Sequence, residues 1–70
     1  MNAHEIGKRL RELRGQRTVN DIAAATGIGR SAISNYESGL RVPRDEAKRA
    51  LAEYYGVSID KLFFDSDVTK

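Results

Sequence analysis

Arg30, Ser31, Ser34 and Asn35 are spaced so that a helix would carry them along one polar arc. These side chains suit recognition by hydrogen bonding. Arginine offers paired donors to the edge of guanine, asparagine pairs with adenine, and serine serves any base or a phosphate. Groups for making and breaking covalent bonds are scarce. His4 is the one histidine and cysteine is absent, so no thiolate site, zinc centre or usual catalytic dyad is expected. Gly27-x-Gly29 lacks the preceding strand and the later lysine or third glycine of a phosphate loop. The expected protein is not an enzyme and carries no metal or cofactor.

The polar arc needs a scaffold, and the apolar periodicity supplies one. Five short helical patterns occur, with no alternating strand run, which makes the fold class all-α. Ile6, Leu10 and Leu13 form a stripe over residues 4–14, and Gly15 fits a stop. Thr18, three residues before Asp21, approximates a capping box for a second helix over about 19–26. Gly27 then suits a left-handed turn. A third helix, from Gly29 or Arg30 to Ser38, turns Ala32, Ile33 and Tyr36 inward and Ser31, Ser34 and Ser38 outward. Leu40 to Pro43 read as a loop, followed by a fourth helix over about 44–55. Ser58 would cap a fifth over roughly 59–64, and residues 65–70 are expected to fray. His4 is expected in a fraying N-terminus.

With 70 residues there is room for one domain, assigned to residues 1–64. No apolar run approaches the roughly 20 residues of a membrane span, and no signal peptide is visible, so a cytoplasmic location is expected. The net charge of +2 is unevenly placed. Residues 1–44 hold eight basic and four acidic side chains, whereas residues 45–70 hold four basic and six acidic. An anionic partner for the first half follows from that asymmetry.

Two short helices joined by a glycine-containing turn form a helix-turn-helix plan. Ala23 is small where the second helix must cross the first, and Ile22, Ile28, Ile33 and Tyr36 can seal the pair onto a core. The stretch Asp21-Ile22-Ala23, Gly27-Ile28, Arg30 through Gly39, Arg41-Val42-Pro43 and Tyr55 through Leu62 resembles the Cro/C1-type, or XRE, family of phage and bacterial regulators. The resemblance covers about residues 5–64. It implies a compact five-helix, lambda-repressor-like DNA-binding domain whose helix-turn-helix is made by helices 2 and 3. It also implies a homodimer on double-stranded DNA, reading a palindromic operator, most often for repression.

By that resemblance, Arg30, Ser31, Ser34 and Asn35 fall where relatives touch base edges. Ser38 and Arg41 fall where relatives meet phosphate. The family's usual phosphate-binding glutamine is Val19 here, so Thr18 or Asn20 would substitute. Arg14 and Glu37 occupy positions that form an ion pair in relatives. The helix 1–2 connection is about two residues shorter than usual, and Thr26 stands where an aliphatic residue is preferred.

Tyr54, Tyr55, Phe63 and Phe64 crowd the last third of the chain. Tyr55, Phe63 and Phe64 are therefore expected at a dimer or partner surface, with ordinary core filling as the other account of Phe63 and Phe64. The same residues support a second reading of the chain. It would be a protein-interaction module or antitoxin on this scaffold, holding a partner protein through its C-terminal aromatic segment.

Overall fold

The computed structural model describes residues 2–63, which form five helices. These are α1 (Ala3–Arg14), α2 (Val19–Thr26), α3 (Arg30–Ser38), α4 (Asp45–Tyr55) and α5 (Ile59–Phe63). Phe64 and the tail 65–70 lie outside the described residues. Each boundary has a local cause. Asn2 Oδ1 accepts from the Glu5 amide at 2.9 Å and begins α1 one residue earlier than the apolar stripe suggests. His4, expected in a fraying end, therefore sits in the first turn of α1. It packs against Gly39, where an added Cβ would lie 2.9 Å from its Nδ1. Thr18 and Asp21 make both bonds of a capping box, at 3.1 and 3.2 Å. Gly27 adopts φ +78 at the end of α2, a conformation that costs most other residues energy.

Thr26 turns its departure from the family pattern into a staple. Its hydroxyl donates to the Ile22 carbonyl at 2.7 Å and accepts from the Ile28 amide at 3.2 Å. The turn between α2 and α3 is thus tied to the last turn of α2.

The core joins Ile6 and Leu10 of α1, Ile22 of α2, Ile33 and Tyr36 of α3, Leu51 and Ala52 of α4, and Leu62 and Phe63 of α5. Helix α1 packs chiefly on α3, while α2 packs on both α3 and α4, and α5 closes against α4 and α1. Gly7 is buried where α1 crosses the C-terminal end of α3.

Phe63 corrects an expectation. It is 3% exposed and belongs to the core, not to a dimer or partner surface. The physical reason is that five short helices supply few large side chains, so the last helix must contribute its aromatic ring inward. Phe63→Ser is expected to destabilise the domain by about 3–5 kcal/mol, as large-to-small core substitutions do. A domain of this length holds on the order of 3–10 kcal/mol in total. Urea denaturation followed by circular dichroism checks this, and an unshifted midpoint would return Phe63 to the surface.

Candidate nucleic-acid interface

The first turn of α2 and the first two turns of α3 face a common open groove. It is lined by Thr18, Val19, Asn20, Arg30, Ser31, Ser34 and Asn35, and no carboxylate is among them. The structure thus brings the four residues of the polar arc together with both residues expected at the start of α2. Arg30, Ser31 and Ser34 are exposed, and Asn35 is half-buried. Val19 is half-buried and packs against the core, so its apolar side chain anchors the start of α2. The N-terminus of α3, at Gly29, has no side-chain cap to satisfy its first backbone amides.

The donors differ in how far they are already engaged. Arg30 Nη1 donates to Asn20 Oδ1 at 3.2 Å. The Thr18 hydroxyl accepts the Asp21 amide yet keeps its own hydrogen to give. Ser38 lies farther along α3, outside the groove lining, and its hydroxyl donates to the Asn35 carbonyl at 3.2 Å. Arg41 is exposed in the loop after α3, with its guanidinium carbon 6.0 Å from the centre of the Tyr36 ring.

Behind the groove, Arg14 Nε lies 2.8 Å from Glu37 Oε2 and 3.1 Å from Oε1. Glu37 is 7% exposed, so its charge is matched where water is scarce. The hydrogen bond to Glu37 raises the Arg14 guanidinium above its ordinary pKa. Arg14 Nη1 also donates to the Arg17 carbonyl at 2.8 Å, which fixes the short α1–α2 connection. The Arg17 guanidinium in turn stands 5.3 Å from the Tyr54 ring centre and 5.8 Å from that of Tyr55. Those two rings meet edge to face at 5.0 Å. Burial, followed by the charge of Glu37, pushes the Tyr55 phenol up to about 12, against the opposing pull of Arg17 and Arg14. Tyr55, expected at a partner surface, is half-buried and engaged within its own chain.

Among the described residues, the exposed large apolar side chains lie elsewhere. Leu40 is 75% exposed and Val42 48%, both in the loop that follows α3. Reading the residues for periodicity did not single them out, because a loop has none. Among the described residues, no group of three or more histidine, cysteine, aspartate or glutamate side chains could hold a metal ion, and no helix is long and apolar enough to cross a membrane.

Together the glycine turn, the paired helices and the donor-lined groove define a helix-turn-helix protein. The chain belongs to the helix-turn-helix domain family, whose model matches residues 5–62, and the Cro/C1-type motifs fall within that span. It is similar to the cryptic phage CTXphi transcriptional repressor RstR of Vibrio cholerae, at 36% identity over 64 residues. That match covers 89% of this chain and 58% of the relative, so the chain spans less than two thirds of the repressor's length. No solved structure gives a significant match.

Proposed function

We propose that the chain is a sequence-specific DNA-binding regulator of transcription, acting as a repressor in the cytoplasm. Helix α3 enters the major groove of double-stranded DNA. The observation that carries this reading is the groove itself, where two helix N-termini and a row of neutral or basic donors converge without a carboxylate. Arg30 reads guanine, Asn35 reads adenine, and Ser31 and Ser34 meet base edges or their water. Thr18, Asn20, Ser38 and Arg41 face phosphate along the rim. Two copies bound as a homodimer would set their α3 helices about 34 Å apart and read a palindrome. The similarity to a named phage repressor supports the sign of regulation.

The test compares a duplex enriched from a randomised pool with a random one. Arg30→Ala combined with Asn35→Ala is expected to weaken binding to the enriched duplex roughly 100-fold, the loss of two base contacts. Binding to the random duplex should change far less. Equal loss on both duplexes would mean that these residues supply only general attraction and that α3 is not the reading element.

A further inference from the structure

Arg30 and Asn20 come from different helices and are ten positions apart, yet they are joined by a hydrogen bond from Arg30 Nη1 to Asn20 Oδ1 at 3.2 Å. Both side chains are exposed, so the bond is not forced by packing of the core. Asn20 is nevertheless held in place. Val19 before it packs against the core, and Asp21 after it is locked in the capping box with Thr18. Asn20 Oδ1 is thereby fixed as the acceptor for Arg30 at the start of α2. An arginine side chain has many rotamers, and free in solvent it would search them all before meeting a base. Anchoring one of its five donors restricts the guanidinium and leaves the others available in the groove that Arg30 lines.

We infer that Asn20 is a positioning residue for base selection: it orients Arg30, and through Arg30 it sets the preference for guanine at one base pair. This rests on the DNA-binding reading above and adds to it. A phosphate contact by Asn20 alone would strengthen binding to every sequence alike. A positioning role predicts a loss confined to the one base pair that Arg30 reads.

The experiment uses the whole chain and a randomised duplex pool. If the parent protein enriches no site, the DNA-binding reading fails, and this inference falls with it before any Asn20 variant is assayed. If a site is enriched, Arg30→Ala identifies the base pair whose preference depends on Arg30. Asn20→Ala is then expected to lower the preference at that same base pair about ten-fold and to leave the other positions unchanged. Asn20→Asp keeps an oxygen acceptor and should retain the preference, even though its charge weakens binding to all duplexes. The double variant Asn20→Ala with Arg30→Ala should be no worse at that base pair than Arg30→Ala alone. An unchanged preference at that base pair in Asn20→Ala, whatever happens to affinity for all sequences alike, overturns the inference. Asn20 is exposed and alanine favours helix, so both variants should melt close to the parent by circular dichroism.

Discussion

Gly7→Ala is expected to leave little folded protein at physiological temperature. Within a helix this change normally favours folding by about 1 kcal/mol. Here an added Cβ would lie 2.4 Å from the Glu37 carbonyl oxygen and 2.6 Å from that of Tyr36. Both obstacles are backbone at the end of α3, so no side-chain rotation relieves them. Helix α1 would have to lift from α3, opening the contact that buries Ile6 and Leu10. Overpacking usually costs about 1–3 kcal/mol, and a rigid obstacle places this case at or above the upper end. Gly29→Ala provides the control, because its φ of −64 is ordinary and nothing lies within 4 Å of the added Cβ. Thermal melts of the two variants decide the matter. If Gly7→Ala melts at or above the parent, the close crossing of α1 over α3 is wrong.

Arg14→Met is expected to destabilise the domain by about 3 kcal/mol, the scale for stranding a buried charge without its partner. Glu37 is 7% exposed, and its carboxylate holds Arg14 through both oxygens. Removing Glu37 instead should cost less, because the Arg14 side chain is 25% exposed and can turn its charge toward water. Changing both, Arg14→Met with Glu37→Leu, should recover much of the loss, since two apolar groups leave no unpaired charge. Denaturant unfolding of the three variants measures the coupling. Additive losses would show that the two residues act separately. The loss should also reach the groove between α2 and α3. Arg14 holds the Arg17 carbonyl, and that connection sets where Thr18 and α2 begin.

The helices were legible because their signals are local. Thr18 with Asp21 announces the start of α2, Gly15 and Gly27 announce ends, and the stripe of Ile6 and Leu10 marks the inner face of α1. The polar arc on α3 was legible for the same reason, since a helix fixes which residues share a face. Gly7 was the missed signal. A glycine inside an otherwise good helix pattern costs stability, and its presence there hints at a close crossing. What α1 would cross, however, depends on an element some thirty residues away.

The sequence by itself thus determined the element types, the inward faces and the set of donors available for recognition. Periodicity and capping act within a few residues, so the chain states them directly. Tertiary structure alone decided that Phe63 is core, that Arg17 rests near Tyr54 and Tyr55, and that Asn20 holds Arg30. Each of these depends on which helices meet and at what distance. That is set by the whole core closing at once, and no window of the chain contains it.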